Sequence, residues 1–298
     1  MKAPSSGPAL PSARIDFITV NYRATETTRT LVRSLAALDG AAACSVIVAD
    51  NDSTAESELG LRALAAEFPG RLIVLPQSDN LWYWGGAAAA IAASYPHPAA
   101  MPDWLVVCNN DIVISDPTFL TALLDLRGRG YGVVAPRIVS RRTGSDQNPF
   151  LVRPRSFVQR LQWHVFYTHY WVARLLLPLA SLLTAVRLRH RRRAGAAAQA
   201  HGDREEHIYA AHGACVVFSR LFFEQGGRLD TSVPMYAEEL TTAGIAGRLG
   251  LATVHCPRLQ VTHDEHATSG SILTRQKYAM QRQAFYHYLT TYGTRPAR

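Results

Sequence analysis

The sequence predicts an α/β domain: a mostly parallel sheet flanked by helices and interrupted by a helical insertion rich in arginine and aromatic residues. Three observations predict it. Short apolar runs of strand length alternate with stretches of helical spacing. Several of these runs are continuously apolar, as strands covered on both faces are. And the runs end in Asn/Asp clusters, where parallel sheets bind ligands at their carboxyl edge. With 298 residues and 48% hydrophobic content the chain can bury such a core.

The elements follow in order. Residues 1–12 are rich in Pro, Ser and Ala and read as a disordered leader. Ile15–Val20 is a β-rich run with a polar turn behind it, and Thr27–Leu38 carries Leu31, Leu35 and Leu38 at helical spacing. Ser45–Ala49 reads as a strand, Glu56–Phe68 as a helix and Leu72–Leu75 as a strand. An Ala-rich helix at Ala87–Ser94 precedes the strand Trp104–Cys108. These residues, 13–140, form the first half of the domain. The pattern breaks near Ser140, and 141–207 is the insertion. It resumes at Ile208–Ser219, with a helix near Leu221–Gln225, a helix at Glu238–Leu249, and short strands at Thr253–His255 and Gln260–Thr262. A long helix at Ile272–Tyr292 closes the second half, 208–298.

Charge and cysteine use narrow the function classes. The net charge is +8, yet Phe150–Gly202 alone holds nine arginines and no Asp or Glu. The basic character belongs to that segment, so a whole-surface nucleic-acid footprint is not expected. Its apolar and aromatic run, Leu161–Val186, beside the basic run Arg187–Arg193, suits a helix lying on an anionic membrane surface. A buried helical hairpin with a solvated basic tip is the alternative. The uncharged piece Leu175–Val186 is shorter than the roughly 20 residues of a spanning helix. Cys44, Cys108, Cys215 and Cys256 lie far apart in apolar runs, which predicts buried thiols rather than a zinc site. The N-terminal residues lack an apolar signal core. The expected location is therefore cytoplasmic, peripheral on the inner face of the cell membrane through 151–193.

Four polar clusters carry candidate chemistry. Asp111, behind the strand ending in Cys108-Asn109-Asn110, is either a turn residue or a ligand for a hard cation. Asp50, opening Asp50-Asn51-Asp52-Ser53, is either a helix-capping residue or an acceptor for a nucleobase or ribose. Glu238-Glu239 either complement a helix dipole or supply a general base. His263, just past a strand, is structural unless a metal partner stands beside it.

In this order the clusters resemble glycosyltransferase family 2. Thr19-Val20-Asn21-Tyr22 is similar to that family's opening TVNY strand, and Asp50-Asn51-Asp52-Ser53 to its DNxS motif. Asn80–Gly86 stands in place of NxGYxGG, with Trp82 where glycine is usual. Asn109-Asn110-Asp111 resembles the DxD equivalent of rhamnosyltransferase-like members. Gly226–Asp230 resembles GGFDE, and Tyr236–Glu239 resembles YxED, with Glu239 in place of the more usual Asp. The resemblance implies a GT-A fold, Rossmann-like, and an inverting, metal-dependent transfer from a nucleotide-diphosphate sugar to a lipid-linked or growing bacterial surface polysaccharide. It implies nucleotide contacts by Thr19, Asn21, Tyr22, Asp50, Asn51, Ser53, Asn80, Gly85, Gly86, Asn109 and Asn110. A Mg²⁺ or Mn²⁺ ion would sit on Asp111 and His263. Glu239 would be the base with Glu238 as its helper, and His212 and Gly213 would meet the acceptor. Two other readings compete. A sugar-phosphate nucleotidyltransferase would show a glycine-rich basic loop near the N-terminus, and Thr19–Thr25 has no glycine. A degenerate binding module would have lost Asp111, Glu239 or His263, and all three are present.

Overall fold

A computed structural model describes residues 14–177, 204–265 and 273–293. The expected leader, the Arg187–Arg193 run and the expected helix start at Ile272 lie outside the described residues. One sheet of nine strands organises the rest, in the order β3-β2-β1-β4-β8-β6-β9-β5, with β7 also against β9. The strands are β1 Ile15–Asn21, β2 Ser45–Asp50, β3 Leu72–Pro76, β4 Trp104–Cys108, β5 Ile112–Val113, β6 Tyr131–Ser140, β7 Glu206–Ile208, β8 Cys215–Ser219 and β9 Ala252–His263. Six of them (β1, β2, β3, β4, β6 and β9) run one way, and β8, β5 and β7 run against them. The mostly parallel α/β architecture expected from the sequence is the one observed.

Period-two alternation builds the core. Ile15, Phe17, Val46, Val48, Trp104, Val106 and Cys108 enter one apolar layer, while Ile18, Ile47, Ala49, Leu105 and Val107 enter the other. Helices α1 (Thr25–Ala36), α2 (Ala55–Glu67) and α4 (Phe119–Leu124) cover the first layer. Helices α3 (Trp82–Ser94), α7 (Arg220–Glu224) and α8 (Glu238–Arg248) cover the second. β4 is buried along its whole length, which is why its sequence shows no polar alternation. All four cysteines are buried free thiols, as expected.

Several elements depart from the sequence reading, the short β5, β7 and α4 among them. The expected Thr253–His255 and Gln260–Thr262 form one strand, β9, whose register against β6 shifts between Pro136 and Arg137. β6 itself was not anticipated, because Pro136 interrupts its apolar run; the strand tolerates it at that irregularity. Helix α3 begins at Trp82, five residues before the expected start. Asn80 explains this: its Oδ1 accepts the Trp82 backbone N–H at 2.9 Å, engaging an N–H that the helix start leaves open.

The insertion opens along the main body rather than apart from it. Leu151 bridges Ala210, and the Tyr209 N–H donates to Leu151 O at 2.9 Å. Then come α5 (Phe157–Phe166), started by a Ser156/Gln159 capping box, and α6, described over 170–177. Tyr167 and Ala173 pack with Tyr278 and Phe285 of α9 (Arg275–Thr291).

Candidate active site

Strand direction gathers the polar clusters on one edge. β1, β2, β4 and β9 end there, and antiparallel β8 begins there, with Cys108 opposite Cys215. Asn21 and Asp50 are therefore neighbours, as are Asn109 and Ala214, joined by a 2.8 Å backbone hydrogen bond. Short β5 sets Ile112 opposite His263, which brings Asp111 to the end of β9. Arg23, Ser53, Trp82, Tyr236 and Glu265 hold left-handed backbone at φ 54°, 43°, 60°, 71° and 51°. Four of them sit in loops and Trp82 at the first position of α3, and such strain concentrates where a site fixes the chain. Trp82 thus holds a conformation that glycine favours and larger residues rarely adopt.

The first pair of clusters forms a buried polar network. Asn21 Nδ2 donates to Asp50 Oδ1 at 2.9 Å, the Ser57 hydroxyl donates to Asp50 Oδ2 at 2.9 Å, and the Thr28 hydroxyl donates to Asn21 Oδ1 at 2.8 Å. Asn110 Nδ2 joins through Thr28 Oγ1 at 3.1 Å. Thr19, Asn21 and Asp50 are buried, so as these side chains stand they shape the pocket from behind. The direct base or ribose contact expected of Asp50 is not open to a ligand in this arrangement. Tyr22, at 38% exposure, and the exposed Ser53 are the open members of the set. Asn51 is also turned inward: its Nδ2 donates to Trp82 O at 2.9 Å and faces Asn80 Oδ1 at 3.3 Å. Gly86 packs closely here: a Cβ would stand 3.0 Å from Asn51 Oδ1 and 3.1 Å from Val20 Cγ2. Gly85 lies beside it in the first turns of α3.

The second group holds the reactive types. His263 Nε2 lies 3.2 Å from Asp111 Oδ1. His263 Nδ1 meets Gln147 Oε1 at 2.8 Å, and Gln147 Nε2 donates to Glu265 Oε1 at 2.7 Å. Glu265 thus fixes the amide so that its oxygen faces Nδ1, which places the proton on Nδ1 and turns Nε2 toward Asp111. The His212 ring centroid is 6.3 Å from that of His263, and Asn148 Oδ1 accepts the His212 backbone N–H at 2.8 Å. Burial lowers the His212 pKa, and His263 pushes the same way against the opposing charge of Glu239. His212 is therefore a neutral ring near neutral pH. Among the described residues no group of three or more His, Cys, Asp or Glu side chains could hold a metal. Asp111 and His263 do suit a cation that takes few protein ligands and completes its shell with substrate oxygens and water.

Gly213 links this group to α8. Its N–H donates to Glu239 Oε1 at 3.2 Å, and Tyr83 donates to its carbonyl at 3.1 Å. A Cβ at Gly213 would stand 3.1 Å from that Glu239 oxygen. The two adjacent glutamates differ sharply. Burial, then the Glu239 charge, pushes the Glu238 carboxyl up to about 8, although backbone N–H groups at Glu238, Tyr236 and Ala237 pull it down. Glu238 is thus protonated near neutral pH.

This has a consequence for stability. Free Glu titrates near 4.5 and folded Glu238 near 8, so between those values the native state binds one more proton than the unfolded chain. The stabilisation is complete below about pH 4.5 and is lost as pH rises through about 8, by at most about 1.4 kcal/mol per unit. Glu238→Gln should remove this slope, so that thermal melts between pH 6 and 9 show the variant falling less than the wild type. Parallel curves would show that Glu238 is ionised in the fold.

Sequence reading missed Tyr83, Gln147, Asn148 and Phe150, whose ring meets His212 edge-on at 5.9 Å. Gln147, Asn148 and Phe150 lie in the opening of the insertion and carry no motif; the bridges of 146 to 139 and of 151 to 210, with the Gln147 N–H donating to Ile138 O, bring them here. Asp230 of the Gly226–Asp230 run has a different task. Burial raises its pKa, but hydrogen bonds from Tyr292, His287 and Ser232 outweigh that and hold it below the usual carboxylate range. It ties this loop to α9 through His287 Nε2 at 2.7 Å and Tyr292 Oη at 2.6 Å.

A mostly parallel sheet flanked by helices on both faces is the GT-A, Rossmann-like architecture. The family model described as Glycosyl transferase family 2 matches residues 16–176, and the chain belongs to that family. No curated protein sequence matches it. Among solved structures it is similar to the mannosyltransferase PcManGT from Pyrobaculum calidifontis, in complex with GDP-Man and Mn²⁺. The TM-score is 0.52 at 15% identity, over 96% of this chain and 67% of that one. It is also similar to GalNAc-T7 with UDP, GalNAc and Mn²⁺, with TM-score 0.62 at 10% identity over 93% of this chain. The chain spans about half of GalNAc-T7, 48% of its length.

Proposed function

We propose that the chain is an inverting glycosyltransferase, rhamnosyltransferase-like in type. It moves a sugar from a nucleotide-diphosphate donor to a hydroxyl of a lipid-linked or growing bacterial surface polysaccharide. The observation that carries this reading is the Glu239 carboxylate oxygen held by Gly213 N–H, on the edge that also presents Asp111 and His263. In the reaction the acceptor hydroxyl oxygen bonds to the donor's C1 from the face opposite the diphosphate. The C1–O bond breaks, its electron pair leaves with the diphosphate, and the hydroxyl proton passes to Glu239. Protonated Glu238 keeps a second charge away from the base and can donate a hydrogen bond. His212 and Gly213 border the acceptor side. Tyr22, Ser53, Asn80 and Asn109 border the donor side, with Asp50, Asn51 and Asn110 holding their loops. Asp111 and His263 would hold the Mg²⁺ or Mn²⁺ ion, whose charge, when bound, opposes that of the diphosphate. A thermal-shift screen of nucleotide sugars with and without Mn²⁺ tests the donor class. Stabilisation by at least one sugar nucleotide, larger with Mn²⁺, is expected; none across the panel refutes the reading.

The same reading places the enzyme at the cytoplasmic face of a membrane, attached through 151–193. α5 has no buried residue, and Phe157, Val158, Leu161 and Val165 are exposed on it, as are Trp171 and Leu175 on α6. Among the described residues no helix is long and apolar enough to cross a membrane. Basic residues near an anionic surface contribute roughly 1 kcal/mol each. Flotation with vesicles containing phosphatidylglycerol should therefore exceed that with neutral vesicles and weaken in high salt. Equal flotation with both, unaffected by Phe157→Ser and Leu161→Ser, would rule the surface out.

A further inference from the structure

The turn His212–Ala214, just before β8, is held from several sides. Asn148 Oδ1 accepts the His212 N–H at 2.8 Å, and Glu239 Oε1 accepts the Gly213 N–H at 3.2 Å. The Ala214 N–H donates to His212 Nδ1 at 3.1 Å, and the Ala214 carbonyl accepts the Asn109 N–H at 2.8 Å. The Gly213 carbonyl accepts the Tyr83 hydroxyl at 3.1 Å. Tyr83 reaches this turn from 130 residues away along the chain, out of the first half of the domain. It stands on a fixed base itself. The residue before it, Trp82, has its N–H on Asn80 Oδ1 and its carbonyl on Asn51 Nδ2, both at 2.9 Å. The Tyr83 ring packs on that of Trp84, with centroids 5.1 Å apart.

Glycine brings no stiffness of its own, so the conformation at Gly213 is set by whatever holds the two peptide groups that flank it. The first of these carries the N–H that meets Glu239. The second carries the carbonyl that Tyr83 holds and the N–H that faces His212 Nδ1. Holding the second limits how far the first can turn. We propose that Tyr83 is a positioning residue for the base: its hydroxyl holds the Gly213 carbonyl, and through the Gly213 N–H it keeps the Glu239 carboxylate in place for the acceptor's proton. The inference rests on the glycosyltransferase reading with Glu239 as base. A misplacement of about 1 Å costs up to roughly 10²-fold in rate, so loosening this turn by one hydrogen bond should cost about tenfold.

Steady-state release of nucleoside diphosphate by the full chain tests it, with UDP-, GDP- and dTDP-sugars in Mn²⁺. Tyr83→Phe keeps the ring on Trp84 and deletes only the hydroxyl. Its kcat should fall about tenfold while the donor KM changes by less than about twofold. In a Glu239→Gln background the same substitution should cost less than about twofold, because a residue that acts through the base then has nothing left to act on. Tyr95→Phe is the control for lost stability. It removes a buried hydroxyl bond to Asp16 Oδ2 at 2.8 Å, near the start of β1, and should leave kcat unchanged. Wild-type kcat in Tyr83→Phe, or an equal loss in both backgrounds, overturns the inference, and a slow Glu239→Gln in the same experiment leaves the base reading standing. If Tyr83→Phe does not fold, Gly213→Ala decides. The added Cβ would stand 3.1 Å from the Glu239 oxygen and should lower kcat by displacing it; wild-type kcat then overturns the inference. Wild-type turnover in Glu239→Gln removes the base reading and this inference together, and so does a wild type that turns over no donor.

Discussion

Glu239→Gln should lower turnover by about two orders of magnitude or more while leaving donor affinity nearly unchanged. The substitution keeps the size of the side chain, and its carbonyl oxygen can still accept the Gly213 N–H. What it removes is the ability to take the acceptor's proton. The contrast with Glu238→Gln is the informative part. Glu238 is already protonated near neutral pH, so an amide there replaces one neutral donor with another. That variant should keep most of its turnover and gain activity relative to wild type as pH passes about 8, where wild-type Glu238 ionises beside the base. Steady-state rates of both variants from pH 6 to 9 check this. A dead Glu238→Gln beside an active Glu239→Gln would exchange the roles, and two active variants would place the base elsewhere.

Asp111→Ala should abolish Mn²⁺-dependent nucleotide binding and leave the fold intact. Asp111 stands at the start of β5, at the sheet edge, and removing it takes the carboxylate partner from His263 at 3.2 Å. Gln147→Leu gives the graded comparison. Gln147 touches only the far nitrogen of His263, and loss of such a support typically costs about 10–100-fold in metal affinity. Calorimetry of nucleoside diphosphate with Mn²⁺ should therefore rank wild type first, Gln147→Leu next and Asp111→Ala last. Undiminished binding in Asp111→Ala would remove the cation from this site.

Much of this was legible because strand ends announce themselves. β1, β2 and β4 are short apolar runs that stop at Asn21, Asp50 and Asn109, and the parallel register puts those ends side by side. Asp111 and His263 could be paired in advance only through resemblance; the physical reason is the two-residue strand β5, too short to show a period. Asp50 shows the limit of reading polarity as exposure. Its carboxylate looked available, yet Asn21 and Ser57 occupy it, a choice made by side chains from three elements that no local pattern contains. The insertion was legible as a basic, aromatic segment but not as a wall. Gln147 and Asn148 act through pairings between 147–151 and 208–214, β6 or β9, and such long-range contacts leave no mark on the residues that make them.

The central claim is that this edge transfers sugar from a nucleotide donor with Glu239 as base. Release of nucleoside diphosphate from UDP-, GDP- and dTDP-sugars tests it most directly, comparing wild type with Glu239→Gln in Mn²⁺. The account predicts that wild type turns over at least one donor and that Glu239→Gln binds the same donor yet releases its diphosphate about 100-fold more slowly. Equal release by the two proteins, or release from no donor by a folded wild type, would contradict it.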